Sequence, residues 1–399
     1  MSRGSAAIAA AWQCAAAVET GLTIREEATV RNGTPSFTLG IEEEYLLVDP
    51  RTRDLADPPA GLMEAAKAKL GDRVTPEFMN AQIEIGTGIC RTAADARAEL
   101  VELRLTVAEI AIAHDCRLVA AATHPFANWQ HQARSDKDRY HELKNDLQVV
   151  AERLLISGMH VHCGLEDDEL RIDCMNQVRY FLPHLLALST SSPFWHGHET
   201  GLRCYRLSVF DEMPRSGLPS QFASWGEYQG TLDLLAQTRI MEDPTKIWWD
   251  IRPHAKFPTL EMRICDVCTD VDDAVAIAAL YACLCRMLWR LRQANQSWRR
   301  YPTFLIEENR WRAQRYGTGD SLIDLGRCSL VPFGDLLEEI LQLVAEDADA
   351  LGCGKEVAHT RTVLQRGTSA ERQLADYGDG DERAFERVVD GLIARTVAF

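Results

Sequence analysis

Ionisable side chains recur two residues apart within short apolar, strand-like fragments of this chain, and that spacing limits the folds open to it. The richest fragment is Gly40-Ile41-Glu42-Glu43-Glu44-Tyr45-Leu46-Leu47-Val48. Alternate side chains of an extended strand share a face, so Glu42 and Glu44 project together. The same rule pairs Gln82 with Glu84, His160 with His162, Asp250 with Arg252, and Glu261 with Arg263. Met159 and Val161 are left to fill the face opposite the two imidazoles. A sheet carrying all these groups on one face is costly to fold, because crowded carboxylates repel unless a cation lies between them. A hard divalent metal that also holds phosphate oxygens meets that need. Oxygen-rich ligation with imidazole suits Mg2+ or Mn2+ better than zinc.

The rest of the chain mixes strands with long helical patterns. Strand signals cover Phe37 to Leu47, Ala81 to Thr87, Arg117 to Ala122, Gly158 to Leu165, Ile247 to Arg252 and Thr259 to Cys265. Helical periodicity covers Ala93 to Asp115, Tyr140 to Leu155, Leu170 to Leu188, Ser224 to Thr238 and Val271 to Ala294, the first with Thr92 as its N-cap. Beyond Trp298 the chain reads as mostly helical, with Glu307 to Trp311 and Arg366 to Ala370 as caps and turns. The strands do not alternate with single helices and no Gly-rich loop follows a strand, so the pattern is α+β rather than a doubly wound nucleotide fold. No Pro- or Ser-rich linker divides it. Residues 35–399 are expected to form one catalytic domain, and residues 1–34, Ala-rich and without a core partner, a flexible extension.

Composition narrows the function. A formal charge of -16 argues against a nucleic-acid surface, which needs clustered Lys and Arg. The 12 cysteines show no disulfide framework and point to a reducing, cytoplasmic compartment. Cys265 and Cys268 could begin a zinc ribbon, but Cys283 and Cys285 fall within a helical pattern as core residues. No stretch is expected to span a membrane.

Taken singly, Glu-x-Glu is a solvated edge, His-x-His a satisfied pair, and Glu261 with Arg263 a surface ion pair. As an ordered set they carry a resemblance. Gly40-Ile41-Glu42-Glu43-Glu44, Gln82-Ile83-Glu84, Thr123-His124-Pro125-Phe126, Gly158-Met159-His160-Val161-His162, Glu261-Met262-Arg263 and Asn309-Arg310-Trp311 together resemble the glutamate-cysteine ligase type 2 family of carboxylate-amine ligases. The resemblance implies a glutamine-synthetase-like catalytic fold: a curved, mainly antiparallel sheet with helices on its convex side. It implies that Glu44, Glu77 and Glu84 surround one Mg2+ or Mn2+, and that Glu42, His160 and Glu261 hold another nearer the ATP phosphates. Arg263, with Arg252 as a weaker candidate, would neutralise the transferring phosphoryl group.

The implied reaction begins when a substrate carboxylate attacks the γ-phosphate of ATP. An amine then displaces phosphate from the acyl phosphate to leave an amide. His162 or a nearby carboxylate is the candidate base for that amine, and Arg203 with Arg206 the candidate clamp for a glutamate-like acid. The expected partners are small molecules, a carboxylate and an amine, with no nucleic acid, no membrane and a possible homo-oligomer. Three other accounts stay open: a guanidino-kinase-like phosphotransferase, a metal-dependent amidohydrolase, and a non-catalytic relative.

Overall fold

The computed structural model describes residues 33–132, 147–241 and 243–399. The expected extension, up to residue 32, lies outside them, as does most of the first half of the helical pattern at Tyr140 to Leu155, whose described part holds a short helix, Val149–Glu152.

Seven strands form the central sheet: β1 (Leu39–Val48), β2 (Val74–Pro76), β3 (Gln82–Gly86), β4 (Arg117–Val119), β5 (Met159–Gly164), β6 (Ile251–Pro253) and β7 (Thr259–Met262). Their order is β6-β7-β5-β1-β3-β2, and every pairing is antiparallel. β4 pairs with the end of β1, at Leu46 to Val48, continuing the side that β5 occupies further back. Strand β2 escapes sequence reading because three residues cannot display a period.

Alternation along β1 sorts the two faces. Ile41, Tyr45 and Leu47 join Ile83, Ile85, Met159 and Val161 in the main core. Against that core pack helices α1 (Ala93–Ala113) and α2 (Val271–Gln293). Thr92 caps α1 as expected, accepting the Asp95 N–H while Asp95 returns to the Thr92 N–H. Contrary to the sequence expectation, α2 is long and apolar enough to cross a membrane; here it is the central core helix, most of its length buried. Cys283 and Cys285 are buried in it, and Cys265 and Cys268 are buried elsewhere in the core.

Two further expectations are corrected. The continuous helix at Leu170 to Leu188 is two, Asp168–Val178 and Leu182–Ser189, because Pro183 supplies no N–H and its ring would clash with a carbonyl one turn back. Glu307 to Trp311 is not a turn but the middle of a helix, Thr303–Tyr316.

The functional face is polar only over its middle. Further along β1, Leu46 and Val48 join a second apolar cluster with Phe78, Val119 and Phe194, closed by Val388, Val389 and Leu392 of the last helix, Ala384–Thr396. The Thr123-His124-Pro125-Phe126 segment braces this end. Buried His124 lies 2.8 Å from the Arg53 carbonyl through Nε2, and its Nδ1 accepts the Ala127 N–H at 3.0 Å. That pattern requires the neutral ring, and burial pushes the pKa down to about 4.

The apolar face hides one charged pair. Glu43 turns away from Glu42 and Glu44, and Arg104 of α1 meets it at 2.6 and 2.9 Å, both side chains fully buried. Arg104 also donates to the carbonyls of Cys268 and Thr269 at 2.9 and 2.7 Å, and the Tyr45 hydroxyl donates to Glu43. Strand, helix and the loop before α2 are thereby held in one register.

Removing one partner strands the other without compensation, so Arg104→Met should cost about 3–5 kcal/mol in urea unfolding, and adding Glu43→Met should restore much of that loss. For His124 the sign follows from its depressed pKa: the unfolded chain binds the extra proton between the ordinary 6.5 and about 4. The stability advantage of the wild type over His124→Asn should therefore be full above pH 6.5 and shrink, by up to about 3 kcal/mol, as pH falls to 4.

Candidate active site

Antiparallel registers place the polar groups in rows across the sheet. Arg252, Glu261, His162 and Gly40 form one row; His160, Glu42 and Gly86 the next; Glu44, Glu84 and Thr75 the third. These rows floor a cavity of about 520 Å³ whose lining includes Glu77, Arg206 and Arg263.

The two edges of the cavity differ in charge. At the β6/β7 edge Glu261 is bracketed by arginines: Arg252 Nε donates at 2.8 Å, and Arg263 donates to the other oxygen. These guanidinium groups, with His162 and His160, hold the Glu261 carboxyl well below the usual range despite its burial. Glu42 accepts from His160 Nδ1 at 3.1 Å and faces His162 Nε2 at 3.4 Å, and the two imidazoles likewise outweigh burial to keep it ionised. Toward β2 and β3 the balance reverses. Burial and the neighbouring Glu77 raise the Glu44 pKa to about 7, although Arg206 and the Gly158 N–H, 2.6 Å from Glu44, oppose the shift. Glu84 is pushed well up as well, by burial and then by Glu77, Glu42 and Glu44, and the Thr75 hydroxyl donates to it at 3.0 Å.

The cations nearby do not offset the repulsion among those carboxylates, and the donor atoms around Glu84 fit a hard cation. Glu42, Glu84 and His160 present ligand atoms within 4.8 Å of one another, and so do Glu42, His162 and Glu261. The sequence-derived sets divide the residues differently. Glu42 belongs to both groups in the structure, His162 joins Glu261 in one, and Glu44 and Glu77 flank Glu84 rather than joining its three-donor group.

Of the two arginines read as a clamp, only Arg206 reaches the cavity. It is buried beside Gly158, where a Cβ would stand 2.3 Å from its Nη2, so any larger residue there would displace the Arg206 guanidinium. Arg206 also contacts the carbonyls of Ile264 and Arg263, each at 3.3 Å. Arg203 lies in the preceding loop, outside the cavity lining, with Nε 3.5 Å from Glu371. His162 sits in the arginine row, its Nδ1 3.1 Å from the Thr259 hydroxyl.

Asp250, paired with Arg252 by spacing alone, turns elsewhere because it precedes β6 in a bend. Arg310 grips it at 2.8 and 3.1 Å and grips Asp211 at 2.7 and 2.8 Å. The Asp250 carbonyl accepts the Arg263 N–H at 2.8 Å, so Arg310 braces the backbone behind Arg263. Sequence reading quoted Asn309-Arg310-Trp311 without giving it this place, because one more arginine in the charged run Glu307 to Arg312 carries no local signal.

An antiparallel sheet that presents carboxylates, imidazoles and arginines into one cleft defines the α+β class of glutamine-synthetase-like enzymes. Solved structures agree. The chain superposes on a glutamate–cysteine ligase from Francisella tularensis, solved in complex with AMP, with a TM-score of 0.65 at 14% identity over 91% of this chain and 89% of that one. A bifunctional glutathione synthetase from Pasteurella multocida gives 0.67 at 14% identity, covering 90% of this chain and 52% of that one. These likenesses establish the fold. A Rhodospirillum rubrum protein named "Putative glutamate--cysteine ligase 2" is 55% identical over 91% of this chain and 96% of its own length. The family described as Glutamate-cysteine ligase family 2 (GCS2) matches residues 38–395, and the chain belongs to it. It is an ATP-dependent carboxylate–amine ligase.

Because Glu84 is ionised only against burial and the repulsion of Glu77, Glu42 and Glu44, Glu84→Gln should stabilise the metal-free protein at pH 8. Excess Mg2+ should shrink or reverse that difference in thermal unfolding.

Proposed function

We propose that the protein joins the carboxylate of glutamate to an amine through an acyl phosphate, with ATP as phosphoryl donor and Mg2+ or Mn2+ as cofactor. The observation that carries this reading is the charge gradient across one sheet face, from the Arg252–Glu261–Arg263 cluster to Glu44 and Glu84, where burial and neighbouring carboxylates outweigh the cations nearby. A polyanion belongs at the arginine edge and bare cations at the carboxylate edge.

Glu42, Glu84 and His160 would hold one cation and Glu42, His162 and Glu261 another, with Glu44 and Glu77 completing the negative wall. Bound cations would neutralise phosphate oxygens and offset charge as the phosphoryl group moves. Arg263, fixed through its backbone by Asp250 and through its head by Glu261, would contribute a rigid positive charge to the same oxygens. Arg252 holds Glu261 and donates to the carbonyls of Thr245 and Ile247, so its part is to orient that carboxylate.

His162 is poorly suited to deprotonate the amine, since one ring nitrogen faces Thr259 and the other faces Glu42. That task falls to a carboxylate of the opposite edge. Arg206, whose charge acts on Glu44 ahead of that of Arg263, is the candidate partner for a substrate carboxylate there.

With ATP, Mg2+, glutamate and a panel of amines that includes cysteine, the purified protein should release ADP and phosphate and form a γ-glutamyl amide detectable by mass. Glu84→Gln and Arg263→Ala should each reduce turnover at least about 100-fold while leaving the fold intact by circular dichroism. Full turnover in Glu84→Gln would refute the cation assignment. A phosphorylated product that accumulates without any amine would favour the kinase reading.

A further inference from the structure

At its β2/β3 end the cleft has an apolar wall that none of the roles assigned above uses. Two segments build it: Leu154 and Ile156 come from the stretch that enters β5, and Phe210 and Met213 from the end of the short helix Arg206–Phe210 and the turn after it. The Arg153–Glu212 ion pair, each member one residue before a wall residue, ties the two segments together. Phe78 extends the wall from the connection between β2 and β3, and Leu154 packs against the apolar cluster to which Phe78 belongs. The wall meets the polar groups directly. The Phe210 ring lies 5.2 Å from the Arg206 guanidinium, and the Ile156 carbonyl accepts the Gln82 amide at 2.7 Å, two residues before the Gly158 N–H that holds Glu44.

Neither the acid nor ATP accounts for these side chains. Glutamate carries charge at both ends, and a triphosphate belongs at the arginine edge. The amine is the reactant left, and the charges nearby limit what it can carry. Arg252 and Arg263 are held by Glu261, Lys246 sits between Thr245 and Ile247, whose carbonyls Arg252 binds, and Lys256 stands on the turn between β6 and β7, so all four belong to the far edge. Arg206 is the candidate partner of the acid. Lys67 shares the exposed rim with Asp72. An amine bearing a carboxylate of its own would bring that charge toward Glu44, Glu77 and Glu84 with no further guanidinium at this end to meet it. The ammonium group is attracted there and the carboxylate repelled.

We propose that the amine acceptor is a primary amine with an apolar carbon skeleton and no carboxylate, its chain lying on Leu154, Ile156, Phe210 and Met213. The inference rests on the ligase reading and narrows its second substrate. The ammonium form gives one proton to a carboxylate of this edge. The free amine then forms the carbon–nitrogen bond as the bond from the acyl carbon to the phosphate oxygen breaks, and its second proton leaves with phosphate.

Matched pairs that differ only by a carboxylate test this: cysteamine and cysteine, isoamylamine and leucine, phenethylamine and phenylalanine, each given to the intact protein with ATP, Mg2+ and glutamate. The member without the carboxylate should have the higher kcat/KM by at least about tenfold, and from ethylamine to butylamine kcat/KM should rise about fourfold per methylene. Met213→Lys, which keeps an unbranched chain but supplies a cation, should raise kcat/KM for leucine and lower it for isoamylamine, with KM for ATP unchanged. Equal or reversed preference within the pairs, or an unaltered preference in Met213→Lys that is folded by circular dichroism, would overturn the inference and leave the ligase reading standing. No amide from any amine would overturn both.

Discussion

The grip of Arg252 and Arg263 on Glu261 organises the rest of the site. It keeps one buried carboxylate ionised at one edge of the sheet, while among the described residues no pair of guanidinium groups brackets Glu84 at the other. An electrical gradient is thus built into a single surface by strand order, since Arg252 on β6 and Arg263 just beyond β7 flank Glu261 at the edge away from β3. Polar catalysis on such a surface needs little motion, because the stabilising charges are already aimed before substrates arrive. The second line of support is equally static: Arg310 holds Asp250, and the Asp250 carbonyl holds the Arg263 backbone.

Much of this was legible in the sequence because period-two alternation is local. Glu42 with Glu44, and His160 with His162, needed only the strand rule, and the register then set Glu42 against His160 and Glu44 against Glu84. Features that depend on distant segments were not legible. Nothing around Glu43 announces that Arg104, 61 residues later, will meet it on the apolar side. Asp250 obeys the same spacing as the functional pairs, yet a bend just before β6 turns it toward Arg310. Arg203 and Arg206 looked equivalent as loop arginines, and only the packing of Arg206 against Gly158 separates them. Sharing of Glu42 between two donor groups likewise appears only once three strands are paired.

Two opposed demands meet in β1. Its outward Glu44 is held against burial and Glu77 and so destabilises the metal-free fold, and its inward Glu43 is the centre of a buried ion pair that fixes the helix behind it. The buried pair brings little net stability over an apolar substitute, but it admits one register only. A strand that slipped by one residue would turn Glu43 into the cleft and Glu42 and Glu44 into the core, where Arg104 could satisfy only one of them.

The helix at Ala384–Thr396 covers Leu46 and Val48 on the very face that carries the glutamates, and the Thr396 hydroxyl accepts the Ala120 N–H at 2.9 Å. The first strand of the sheet therefore depends, for a complete surface, on a helix more than three hundred residues further along the chain. The chain can collapse early around its apolar side, but the reaction chamber is finished only when that distant helix docks.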